Sequence, residues 1–265
     1  MARMTGGEAL VKSLVREGVS TVFGLPGVQT YGVIAALRDE PGIRFITTRH
    51  EQATSFMADG YARAGGTIGT ALVVPGPGLL NAASGLSTAY SASSPVLMIS
   101  GQVPKAQIGK NIGVLHEVND QLDAIAPVTK WRRRVLEIRD VPAAVREAFL
   151  QLRTGRHRSV VIDMPPDTMQ GEDDVELLSP ISVAPPAAER KSLDAAVALL
   201  LAAARPAIYA GGGVHASGAH EVVWAVADHL QAAVAAIGNG SRTKQEQRKA
   251  VSVGIAVGPQ KALKP

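Results

Sequence analysis

The 265 residues contain no cysteine, which removes disulfides, thiol nucleophiles and thiolate metal sites from consideration. Aromatic residues are scarce at 4%, so little is available on which nucleobases could stack. Long apolar runs are missing as well. The longest, residues 195–204, is about half of what a membrane-spanning helix needs. Excess charge of either sign is slight, with a net +4. The basic clusters at 130–134 and 241–249 read as a solvated strand edge and an exposed helix, and no nucleic-acid module accompanies them. Near the N-terminus Glu8 and Lys12 stand where a signal peptide needs an apolar stretch. The six histidines form no ligand pair: His50-Glu51 opens like a metalloprotease helix, but Thr54 occupies the place of the second histidine. The expectation is a cytoplasmic protein that touches neither nucleic acid nor membrane.

What is present is a globular composition, 46% hydrophobic and 19% charged, rich in Ala, Val and Gly. Thr5 and Glu8 have the spacing of a capping box, and Leu10, Leu14 and Val15 continue an amphipathic helix from it. Apolar, β-rich runs at 19–25, 43–48, 70–74, 95–100 and 159–164 alternate with helical patterns at 31–37, from Glu51, from about Leu79 and at 141–155. In the helix from Glu51, the residues Ala53, Phe56, Met57, Gly60, Tyr61 and Ala64 recur at helical spacing and predict one buried face. Such alternation predicts an α/β fold, a parallel sheet covered by helices on both faces. Three loops, Pro26-Gly27, His50-Glu51 and 75–78, then fall at the carboxyl ends of strands, on the rim where such sheets bind ligands. The stretch from Pro165, rich in Pro, Asp and Glu, reads as a linker. A second alternation follows, with helices at 192–204 and 218–230 and strands at 207–211 and 232–238. It makes half of a Rossmann-like α/β domain. The domain reading is 1–167, a linker at 168–190, and an incomplete second domain at 191–265.

Each loop admits a plain reading and a chemical one. Glu51 in the first turn of a helix complements the helix dipole wherever it occurs. The loop "PGPGLLN" (75–81) is rigid and free of large side chains, which lets backbone approach a flat ligand, although Pro-Gly loops at strand ends also serve simply as turns. Gly211-x-Gly213-x-x-Ala216 matches the dinucleotide fingerprint in outline, but Asn239 follows the next strand where an acid should hold the ribose, so nicotinamide binding is the outside reading.

Four segments decide among these, in order and at consistent separations: "VSTVFGLPG", "TTRHEQATSFMADGYARAGG", "VVPGPGLLNAASGLSTAYSASSPVLMISGQVP" and "VTKWRRRV". Together they resemble the pyrimidine-binding domain of thiamine-diphosphate enzymes of the acetolactate synthase group, over about residues 5–167. "RPAIYAGGGV" and "SVGIAVGP" are similar to the start of that family's central domain. The resemblance implies that Glu51 is the catalytic carboxylate, hydrogen-bonded to the ring nitrogen of the cofactor's aminopyrimidine. It implies cofactor-lining roles for Pro26, Gly27, Gly76, Gly78 and Asn81. "LHE" (115–117) stands where acetolactate synthases usually show Phe-Gln-Glu, so His116 either takes the place of a glutamine that faces the substrate or is a plain loop histidine. That departure counts against acetolactate synthesis itself and leaves a related carboligase, lyase or decarboxylase, with a 2-keto acid such as pyruvate as substrate. Thiamine diphosphate and Mg²⁺ are the implied cofactors, and FAD in the central domain is left open. The family's Gly-Asp-Gly motif for Mg²⁺ and diphosphate has no counterpart, for the sequence contains no Gly-Asp dipeptide. The expectation is therefore the N-terminal part of a homodimeric or tetrameric enzyme, inactive alone. Half of a split enzyme and a non-catalytic binding remnant are the alternatives.

Overall fold

The computed structural model describes residues 1–65, 67–184, 186–236 and 250–252, the last three as backbone. The expectations for 237–249, Asn239 included, and for 253–265 lie outside the described residues. In chain order the elements are β1 (Ala2–Thr5), α1 (Gly6–Arg16), β2 (Thr21–Gly24), α2 (Tyr31–Arg38), β3 (Arg44–Thr47), α3 (Glu51–Gly65), β4 (Gly69–Val73), α4 (Pro77–Ala92), β5 (Val96–Gly101), α5 (Gln121–Ala124), β6 (Trp131–Arg134), α6 (Val141–Arg153), β7 (Val160–Met164), α7 (Pro166–Gln170) and β8 (Glu172–Val175). These belong to one compact unit, Met1–Ala184. A second unit begins at Pro185 and holds α8 (Arg190–Ala202), β9 (Ala207–Ala210), α9 (Gly212–Ala216), α10 (His220–Leu230), β10 (Ala233–Ala236) and β11 (Ala250–Ser252).

The first unit is built on a six-stranded sheet in the order β3-β2-β4-β5-β7-β6, with every neighbouring pair parallel. The α/β reading of the sequence is therefore what the chain forms. Its central strands β4, β5 and β7 are buried along their whole length, which is why they read as continuous apolar runs. Alternate residues feed two separate cores. Val22, Leu72, Leu97, Ile99, Val160 and Ile162 meet the buried faces of α1, α2 and α6, while Phe23, Ala71, Val73, Met98 and Val161 meet α3 and α4. The charged β6 is an edge strand, as its composition suggests.

Helix α1 starts with the expected capping box. The Thr5 N–H donates to Glu8 Oε2 at 2.7 Å, and the Glu8 N–H donates to Thr5 Oγ1 at 3.1 Å. Its Leu10 and Leu14 are buried, whereas Val15 faces solvent. Two features depart from the sequence reading. Helix α3 packs through Thr54, Ser55, Ala58, Asp59 and Ala62, while of the residues expected inside Phe56, Met57, Gly60 and Ala64 are exposed and Ala53 and Tyr61 only half-buried. The cause is the closeness of α4: a Cβ on Gly85 would lie 2.7 Å from Ser55 Cβ and 2.8 Å from the Phe56 nitrogen, so only small side chains fit between the helices. Within the stretch read as linker, α7 and β8 are ordered parts of the first unit, and β8 pairs antiparallel with β1.

In the second unit β9, β10 and β11 form a parallel sheet, with Ala210, Ala227 and Val234 buried. The dinucleotide-like segment forms α9, a helix of five residues capped by Gly211. Among the described residues no helix is long and apolar enough to cross a membrane.

Candidate functional site

Because the six strands are parallel, their carboxyl ends share one rim, and the loops after β2, β3, β4 and β5 meet there. Helix α3 begins directly after β3. The Gln52 N–H donates to His50 Nδ1 at 3.1 Å and the Thr48 hydroxyl to the His50 carbonyl at 3.1 Å, so His50 serves as the helix's first acceptor. This fixes Glu51 in the first turn, half-buried. Helix α4 begins after β4 with Pro77 at its first position. The close α3–α4 contact brings the two helix starts together, and Asn81 Nδ2 donates to Glu51 Oε2 at 3.1 Å.

The glycines of the rim are required by packing. Gly76 has φ +55° and ψ −115°, a conformation that side chains rarely adopt, and a Cβ there would collide with the His116 carbonyl. At Gly78 a Cβ would lie 2.6 Å from Val74 Cγ2 and 3.6 Å from Glu51 Oε1, and at Gly27 it would collide with Val74 Cγ1. Thus Gly27, Gly78 and Glu51 converge on Val74, with Pro26 in the same turn as Gly27. Gly76 meets His116 on the loop after β5.

That loop has its own fastening. Glu117 accepts the N–H groups of Asn111 (2.9 Å), Gly113 (2.7 Å) and Val114 (3.1 Å). The backbone is left-handed at Gly109, Asn111, Gly113 and His116. His116 Nδ1 is buried without a hydrogen-bond partner, and so is Oε1 of Gln29, whose Nε2 reaches the Leu115 carbonyl at 3.5 Å.

Sequence reasoning did not find the polar cluster under this rim. Asp163, fully buried on β7, accepts from Arg134 Nε at 3.1 Å, Gln121 Nε2 at 2.9 Å and Gln102 Nε2 at 3.0 Å. Burial pushes its carboxyl above the usual carboxylate range, and these three donors oppose the shift. A charge inside the apolar run 159–164 was the available signal, though nothing local named its partners.

Residues 4–125 match the family described as thiamine pyrophosphate enzyme, N-terminal TPP binding domain, and residues 193–260 match the central domain of the same enzymes. The chain belongs to the thiamine pyrophosphate enzymes. It is 39% identical over 233 residues to a probable 2-ketoarginine decarboxylase of Pseudomonas aeruginosa, covering 86% of this chain and 41% of that protein. The large subunit of acetolactate synthase isozyme 3 of Escherichia coli K12 is 36% identical over 227 residues (83% and 39%). A glyoxylate carboligase of Escherichia coli O157:H7 is 38% identical over 221 residues (81% and 36%). The chain thus spans about two fifths of the length of these relatives.

Proposed function

We propose that this thiamine pyrophosphate enzyme chain is the N-terminal part of a carboligase or decarboxylase of 2-keto acids, and that its rim grips the aminopyrimidine half of the cofactor. The observation that carries the reading is the state of the Glu51 carboxylate. Asn81 holds Oε2, while Oε1 accepts no hydrogen bond among the described residues and stands beside a glycine instead of a side chain. A carboxyl anchored at one oxygen and open at the other suits a ring nitrogen, and the side-chain-poor loop 75–78 lets a flat ring come close. These residues fit the pyrimidine. Bound thiamine diphosphate supplies the carbanion-stabilising chemistry. With the cofactor bound, Glu51 Oε1 would meet the ring nitrogen, Asn81 would fix the carboxylate plane, and Gly27, Gly76 and Gly78 would keep the approach open.

The metal end is different. Among the described residues there is no group of three or more His, Asp or Glu placed to hold a metal ion, so no residue here is assigned to Mg²⁺ or the diphosphate. An assembly of two or more copies is supported by the apolar side chains that α3 and α4 expose, Phe56, Met57 and Leu80. The substrate class is supported by the relatives whose names carry 2-ketoarginine and glyoxylate, both 2-oxo acids. The reading gives His116, on the loop against Gly76, a place facing the substrate.

Glu51→Gln in the full-length protein tests the assignment. Turnover of 2-keto acids, pyruvate and glyoxylate included, should fall by roughly 10²- to 10⁴-fold with the unfolding midpoint unchanged. Turnover within a few-fold of the unaltered enzyme would remove Glu51 from the chemistry.

A further inference from the structure

Behind the loop 75–78 runs a chain of buried polar side chains that the proposed chemistry leaves unused. Gln121, the first residue of α5, is fully buried. Its Oε1 accepts the Gly76 N–H at 3.0 Å, and its Nε2 donates to the Gly101 carbonyl at 2.8 Å and to Asp163 Oδ2 at 2.9 Å. Asp163 is held in turn by Gln102 and Arg134. Arg134 also reaches Asp120 at 3.4 Å, and Asp120 caps α5 by accepting the N–H groups of Leu122 and Asp123. The chain of bonds therefore closes on the short helix that carries Gln121.

The chemistry of these groups fixes which way the Gln121 amide points. An ionised carboxylate and a carbonyl only accept, so the NH₂ must face Asp163 and Gly101. The amide oxygen is then left for the N–H of Gly76. Filling this space with an apolar side chain would be the cheaper way to stabilise a fold, because buried charge pairs gain little net stability. What an apolar side chain would not do is aim an acceptor at one backbone N–H. Gly76 needs holding: it caps α4 with a positive φ and, as a glycine, has no side chain of its own to bond the start of that helix. On its other side it meets the His116 carbonyl.

We infer that Gln121 is a positioning residue: oriented by Asp163, it fixes the Gly76 N–H and so sets how closely the loop 75–78 approaches the cofactor's aminopyrimidine. The second half of this statement rests on the cofactor reading above; the restraint on Gly76 does not.

The test compares Gln121→Met with Gln102→Met in the full chain. Both variants take one donor from Asp163, but only the first frees Gly76. Two quantities are read well below unfolding: hydrogen exchange of the Gly76 amide by NMR, and affinity for 4-amino-5-hydroxymethyl-2-methylpyrimidine. Gln121→Met should speed Gly76 exchange and weaken pyrimidine binding by roughly tenfold each, whereas Gln102→Met lowers the unfolding midpoint and changes neither. Equal effects of the two variants would make the network purely structural and overturn the inference. An unchanged Gly76 amide in Gln121→Met would overturn it too. Should Gln121→Met fail to fold, the unaltered chain still decides, since a Gly76 amide that exchanges like an unprotected loop contradicts the restraint. If the unaltered chain does not bind the pyrimidine, the cofactor reading fails; if it binds and Gln121→Met binds equally well, only the positioning role fails.

Discussion

The two faces of the six-stranded sheet are built from different materials. Under α1, α2 and α6 the core holds Leu10, Leu14, Leu37, Phe149 and Leu152, large side chains that fill space. Under α3 and α4 it holds Ala58, Ala71, Ala82 and Ala89 beside Phe23, Leu79, Leu86, Met98 and Ile125, and the helices touch through Ser55 and Gly85. The first face removes more apolar area from water, which is where stability comes from. The second gives up bulk for close approach. That approach aligns the starts of α3 and α4 so that Glu51 and Asn81 lie 3.1 Å apart. Stability and site geometry are thus largely assigned to opposite sides of one sheet, and substitutions on the two sides should fail differently.

The sharpest separation comes from Phe149→Ala. Phe149 is buried in the large-residue core, and its removal should cost about 3–5 kcal/mol in urea unfolding. Pyrimidine binding measured where the variant remains folded should be unchanged. A loss of binding there would mean that the two faces are coupled.

Gly85→Ala attacks the other side with a single methyl group. The added Cβ meets the Phe56 nitrogen and Ser55, so α3 and α4 must separate. The expected cost is about 1–3 kcal/mol, reduced by alanine's better helix propensity. The effect on the site should exceed the effect on stability, because Asn81 moves away from Glu51. Pyrimidine affinity falling by less than twofold would show that the helix starts are held by something other than their mutual contact.

This division explains what the sequence disclosed. Strands β4, β5 and β7 are legible because each buries both faces and therefore reads as an unbroken apolar run. The place of Glu51 at the start of α3, on the rim beside the loop 75–78, is legible through the segments around it. Helix α3 misleads for a physical reason: in a contact as close as Ser55 on Gly85, size matters more than hydrophobicity, so Phe56 and Met57 are left outside. Strands β1 and β8 have no apolar alternation to announce them. Their pairing joins Arg3 to Glu172 across the length of the unit. The Gln121–Asp163 cluster is drawn from four separate segments, and no spacing in the sequence connects them.

The smallest effect tests whether the large-residue side also carries a pH dependence of its own. His157, just before β7, lines a cavity of about 370 Å³ with Phe149, Leu152, Glu17 and Arg153. Burial first, and then the nearby Lys130 charge, hold its imidazole below the usual 6.5. Glu17 would pull the other way, but its carboxylate is committed to Arg153 at 2.5 Å. Since the folded chain takes this proton less readily than the unfolded chain, the contribution of neutral His157 is present above 6.5 and is lost as pH falls through the lower, folded-state value. Between about pH 7.5 and pH 5, His157→Gln should therefore flatten the fall in unfolding temperature by about 1–2 °C. Parallel curves for the two proteins would place the pH dependence elsewhere. Loss of pyrimidine binding in His157→Gln at neutral pH would again contradict the separation of the two faces.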